Sequence, residues 1–168
     1  MTPFRFEFIY RAPNPAAIFA NYFDADHVAE QDRRAEIARR EILEHVETPT
    51  EVRRSCRVFP RRQLPAVIRP LVGPDLSFDE TVIWTKAADR VDFDIRPRIL
   101  GGRAQIRAIY TLTQDGPGRV RRVYEGHVTV DVRLIGGRVE RHVIDDLGQS
   151  LTVTAAVTQE YLDRVQHT

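Results

Sequence analysis

The chain has 168 residues, 42% of them hydrophobic and 29% charged, which fits a single domain spanning 1–168 and excludes a compositionally disordered chain. Its 25 basic residues oppose 24 acidic ones for a formal net charge of +1, so the usual electrostatic reason to expect a nucleic-acid partner is missing. The single cysteine, Cys56, excludes an internal disulfide framework and a multi-cysteine zinc site.

The opening residues, MTPFRFEFIYRAP, alternate and carry charge, unlike the apolar core of a signal peptide. Phe4, Phe6, Phe8 and Tyr10 share one face of a half-buried strand over 4–10, because side chains change sides at every strand residue. Asn14-Pro15 opens a short helix, with Asn as cap and Pro at the first position; Ala16, Ile18, Phe19 and Tyr22 belong to it. Asp24 or Asp26 caps a second helix that runs to about residue 37. RREILEHVE suits a helix or a strand, and the reading taken is a hairpin of two strands turning at TPT, residues 48–50. This stretch, like QDRRAEIARREILE as a whole, mixes arginine with acid and reads as a solvated, ion-paired surface.

Four prolines punctuate residues 60–74 and deny that stretch a long regular element. It is either a lid over one end of the molecule, with Leu64, Val67, Ile68, Leu71 and Val72 to bury, or a rigid plug. Alternation then returns in Leu76–Trp84, Val91–Ile95, Ala104–Leu112 and Val120–Arg133. Turn signals at Ala88-Asp89, Gly101-Gly102 and Asp115–Gly118 join these into an antiparallel meander. After Gly136-Gly137 the period becomes helical. At 100° per residue, Val139, Val143, Ile144, Leu147, Leu151, Ala155, Val157, Tyr161, Leu162 and Val165 fall in one arc. The helix runs for roughly 28 residues, or about 42 Å, and Gly148 at the edge of the arc permits close approach to a sheet. No apolar run nears the ~20 residues that span a bilayer, and the expected location is cytoplasmic.

The order predicts an α+β helix-grip fold: a curved seven-stranded antiparallel sheet around a long C-terminal helix, with two short helices after strand 1. The strand–Asn-Pro–helix opening, the strand ending in Trp84 and the valine-rich last strand running into Leu134-Ile-Gly-Gly-Arg-Val-Glu140 resemble the START-like superfamily. Within it the chain is similar to a bacterial family of unknown function. The resemblance implies a cavity between sheet and helix for an apolar or amphipathic small molecule such as a lipid, sterol, polyketide or quinone. The superfamily also includes cyclases and modules without a ligand, so fold alone does not choose among them.

Glu80 shares its strand face with Leu76, Phe78, Val82 and Trp84, where an unpaired carboxylate is costly. Arg54 lies on the Val52, Cys56 and Val58 face of the neighbouring strand, so an Arg54–Glu80 pair is expected, either inside the sheet or solvated at its rim. With Tyr110 these two are the candidate catalytic groups. Phe78, Trp84, Phe93, Tyr110 and Tyr124 form the candidate ligand wall. Leu147, Ser150, Leu151, Thr154 and Thr158 face it from the helix, although each hydroxyl can instead bond a carbonyl one turn back. Tyr161 is a further inward candidate. Cys56 reads as a packed thiol. His27, His45, His127, His142 and His167 have no metal-binding spacing, and neither a GxSxG elbow nor a P-loop occurs. No metal and no cofactor is expected.

Overall fold

The computed structural model describes residues 1–61 and 76–166. The connector read as a lid or plug falls outside the described residues from residue 62 to its end at Pro74.

Among the described residues, seven strands form one antiparallel sheet: β1 (Thr2–Arg11), β2 (Ile37–Glu47), β3 (Glu51–Pro60), β4 (Phe78–Thr85), β5 (Arg90–Pro97), β6 (Ala104–Gln114) and β7 (Arg119–Val130). Their order across the sheet is β1-β7-β6-β5-β4-β3-β2. The first strand therefore pairs with the last, and β1 and β2 form the edges. The helices are α1 (Pro15–Phe19), α2 (Ala25–Arg34) and α3 (Gly136–Gln166). This is the α+β helix-grip arrangement expected from the sequence.

Local chemistry sets most boundaries. Asn14 accepts a hydrogen bond from the Ala17 amide at the start of α1, with Pro15 at its first position. Asp24, not Asp26, caps α2 by accepting from the His27 amide. Four boundaries differ most from the sequence reading. Helix α1 ends at Phe19, leaving Tyr22 in the turn beyond it. Helix α2 stops at Arg34 rather than near 37, because Glu36 takes a left-handed conformation (φ 58°) that turns the chain into β2. Strand β4 begins at Phe78 instead of Leu76, and β7 ends at Val130 instead of Arg133.

Helix α3 is 31 residues long, about 46 Å at 1.5 Å per residue. It packs on β1, β7 and α2 and is pinned at both ends. Near its start, the buried Glu140 carboxylate accepts from the Val130 amide (2.8 Å) and the Thr2 hydroxyl (2.6 Å). Near its end, Gln159 exchanges hydrogen bonds with the Arg11 backbone, and Arg11 pairs with Asp163. A Cβ on Gly148 would lie 2.8 Å from Cε1 of Phe6, so glycine is what lets the helix descend onto β1. Val165, placed in the apolar arc by the sequence, is 53% exposed; it lies in the final turn, past the end pins. On β7, a Cβ on Gly126 would lie 2.0 Å from the Arg107 carbonyl oxygen. The missing side chain permits the close β6–β7 approach within the bent sheet.

Candidate functional site

The inner face of the sheet is aromatic. Phe93 meets Tyr124 at 5.2 Å and Tyr110 at 6.5 Å between ring centres. Phe19 from α1 stacks on Trp84 at 4.9 Å and meets Tyr110 edge-on at 6.1 Å. Tyr22, delivered by the turn after α1, lies 5.8 Å from Tyr110. Strand alternation accounts for the sheet residues: Phe93, Tyr110, Tyr124 and Trp84 point the same way as buried Val82, Val91 and Ile106. Tyr110 and Tyr124 are buried, whereas Phe78, Glu80, Trp84, Phe93 and Tyr22 are only half-buried. The inner face is thus most open over β4 and β5 and more deeply covered over β6 and β7.

The expected Arg54–Glu80 pair does not form, although both residues lie on this face. Pairing places Cys56 opposite Glu80 and Arg54 opposite Val82. Arg40 on β2 takes Glu80 instead, through Nη1 at 2.8 Å, and also grips Asp32 of α2 with Nε and Nη2, both at 2.9 Å. Burial opposes the Arg40 charge, but Glu80 and Asp32 outweigh it and hold its pKa above the ordinary arginine value. Glu80 thereby becomes one half of a bridge between β4, β2 and α2. Arg54 is left with its guanidinium 4.7 Å from the Phe23 ring centre and its buried Nε without a hydrogen-bond partner among the described residues. The buried Nε1 of Trp84 has none either.

Arg122 on β7 is the residue the sequence reading missed. It shares the face of Val120 and Tyr124, and that parity was the available signal. Its side chain is buried with the guanidinium carbon 4.6 Å from the ring centre of Phe8, 5.3 Å from Tyr110 and 5.5 Å from Tyr10. Its Nε and Nη2, and the Tyr10 hydroxyl, lack a well-formed hydrogen bond among the described residues. Burial opposes the Arg122 charge, the Tyr10, Tyr110 and Tyr22 oxygens favour it, and the balance raises its pKa. Burial pushes the Tyr110, Tyr124 and Tyr22 phenols well above their ordinary range, with Arg122 pulling each back in part. All three are therefore neutral phenols at neutral pH, able to donate or accept a hydrogen bond.

The hydroxyl row on α3 does not reach this wall as a unit. Thr154 donates to the Leu151 carbonyl and Thr158 to the Thr154 carbonyl, as the backbone alternative foresaw. Thr158 is further engaged at the α2–α3 contact by Gln31 (3.2 Å) and by Nε2 of His27 (3.1 Å). Ser150 is half-buried, and Leu147 and Leu151 pack against the core. Tyr161 sits with His27, their rings 5.0 Å apart, away from the sheet wall. Cys56 is buried and free. Two surface concavities lie elsewhere. One of about 370 Å³ is on the outer face of the sheet beside Asp92, Asp94 and Arg107, and one of about 550 Å³ lies at the β7–α3 turn. Among the described residues no His, Cys, Asp and Glu side chains gather as a metal-ligand set, and no helix is long and apolar enough to cross a membrane.

The sequence profile of the family described as "Protein of unknown function (DUF2505)" matches residues 8–162. The chain belongs to this family. No curated protein matches the sequence. Solved structures do resemble this DUF2505 chain. Protein TTHA0849 of Thermus thermophilus has a TM-score of 0.66 at 14% identity, covering 97% of this chain and 98% of that one. The ZhuI aromatase/cyclase of a Streptomyces species has a TM-score of 0.65 at 9% identity, covering 96% and 93%. A START superfamily protein of Mycobacterium smegmatis has a TM-score of 0.62 at 14% identity, covering 98% and 99%. At such low identity the likeness concerns the fold, which is START-like as the sequence implied.

Proposed function

We propose that this DUF2505 protein binds or carries an apolar or amphipathic small molecule on the inner face of the sheet, between β4–β7 and the helices, in a cytoplasmic setting. The observation that carries the reading is the pairing of a partly accessible aromatic wall with buried polar groups that make no well-formed hydrogen bond among the described residues: Arg54 Nε, Trp84 Nε1, Arg122 Nε and Arg122 Nη2. Unpartnered N–H groups in an apolar setting are costly, and a ligand carrying oxygen atoms along an apolar body would satisfy both features. The lipid, sterol, polyketide and quinone bodies implied by the START-like resemblance are the first chemistries to try.

Native mass spectrometry of the purified protein, with organic extraction of the same sample, tests this reading. A co-purifying hydrophobic small molecule, or uptake of one on addition, is expected. Failure to take up any member of an apolar and amphipathic panel would overturn it.

A second reading, a cyclase-type enzyme, rests on Tyr110 beside Arg122: a neutral phenol next to a fixed cation can polarise a carbonyl and move a proton. In that reading Glu80 has no acid–base part, since Arg40 occupies it. Tyr110→Phe would then abolish turnover of a model polyketide while leaving its binding intact.

A further inference from the structure

We infer that the ligand is an anion, and that its negatively charged oxygens seat on Arg122. The inference rests on the binding reading above and adds the charge and the position of the head group.

The argument is one of charge balance. Among the described residues, the guanidinium groups of Arg40, Arg54 and Arg122 point to the inner face. The carboxylates that meet them there are Asp32 and Glu80, and both belong to Arg40. Neither Arg54 nor Arg122 has a carboxylate partner among the described residues, and both are more than nine-tenths buried, at 8% and 6% exposure. Arginine cannot shed its proton in a protein, so a buried guanidinium keeps its charge and must be compensated. The rings of Phe8, Tyr10 and Tyr110 compensate part of it for Arg122, and the Tyr10 and Tyr110 hydroxyls stand beside it, but Nε and Nη2 make no well-formed hydrogen bond among the described residues. Nε and Nη2 on one edge form the fork that a carboxylate grips bidentately. The hydroxyls of Tyr110 and Tyr22 stand beside that charge as neutral donors. The half-buried Trp84, Phe93 and Phe78 over β4–β5 offer the apolar bed for the body of the same molecule. The geometry therefore selects an amphipathic monoanion, a carboxylate head on an apolar tail, over an alcohol, a sterol or a cation.

A head-group series on the full chain tests this. Dodecanoate, dodecan-1-ol and dodecyltrimethylammonium share a tail and differ in charge, and each is titrated as a displacer of a neutral fluorescent probe. Dodecanoate is expected to bind about tenfold or more tighter than the alcohol, the scale of a charge-assisted fork, with the cation weakest. In Arg122→Gln the acid should lose its advantage and bind no more tightly than the alcohol. Should that variant not fold, Arg122→Met, apolar and of similar length, replaces it with the same expectation. Equal binding of acid and alcohol by the unaltered protein, or an acid preference that survives loss of Arg122, would overturn the anion seat and leave apolar binding standing. Binding of none of the three would overturn the binding reading itself, and the seat with it.

Discussion

Glu80 shows how far strand parity reaches. Alternation put it on the inner face correctly, and put Arg54 there too. Parity does not say which cation a carboxylate meets, because an arginine side chain spans more than one strand position. The partner turned out to be Arg40, whose own parity was obscured by irregular pairing of β2 near Ile37–Arg39 and Ile42–Glu44. Since Glu80 and Arg40 are mostly buried, at 16% and 18% side-chain exposure, Glu80→Gln should cost about 1–2 kcal/mol of stability, measured by urea denaturation. It should leave ligand uptake intact. His27 carries the clearest pH signature. It is buried, its Nδ1 is 2.9 Å from the Asn21 carbonyl oxygen, and burial holds its pKa below the ordinary value, with Asn21 and Asp24 partly offsetting that. The unfolded chain takes up a proton near pH 6.5, whereas the folded protein resists it until lower pH. Stability attributable to His27 is therefore full above about pH 6.5 and is lost as pH falls from there toward the folded pKa. His27→Gln should flatten the slope of stability against pH just below about pH 6.5, read from urea midpoints; an unchanged slope would remove His27 from the acid response.

Among the elements, the four-strand meander and α3 were legible because each has an unbroken period and a clear punctuation mark. The junction between α2 and β2 was not, because a single left-handed residue, Glu36, decides it, and glutamate carries no such preference. Gly148 was legible as a point of close approach, and its partner Phe6 was not. Replacing it with alanine brings two opposed effects: a gain of about 1 kcal/mol in helix propensity and an overpacking cost of about 1–3 kcal/mol against the Phe6 ring. The cost should prevail, so Gly148→Ala lowers the thermal midpoint. In a Phe6→Leu background the clash disappears and the same substitution should raise it. A double-mutant cycle measured by denaturation checks the reversal; additive effects would mean that the helix does not rest on Phe6.

For the molecule as a whole, the fold was readable from the order of its elements, but the centre of the candidate site was not. Val120-Arg-Arg122-Val-Tyr124 announces an inward arginine by parity alone, yet nothing in the sequence says that Arg122 will meet no carboxylate among the described residues, since that depends on how the sheet and the helices close around it. This absence separates two roles by their stability signs. A structural arginine stabilises the fold through its partners, and removing it costs several kcal/mol. A ligand-binding arginine without a partner is carried at a cost to the free protein. The contacts of Arg122 with Phe8, Tyr10 and Tyr110 are worth about 0.5–2 kcal/mol each, against an effective penalty of several kcal/mol for burying the ion. The desolvation side should win once the ligand has been extracted. Arg122→Met is thus expected to raise the thermal midpoint of delipidated protein while losing the stabilisation that dodecanoate gives the unaltered chain. A lower midpoint in the absence of ligand, with the response to dodecanoate retained, would make Arg122 a structural residue of the core.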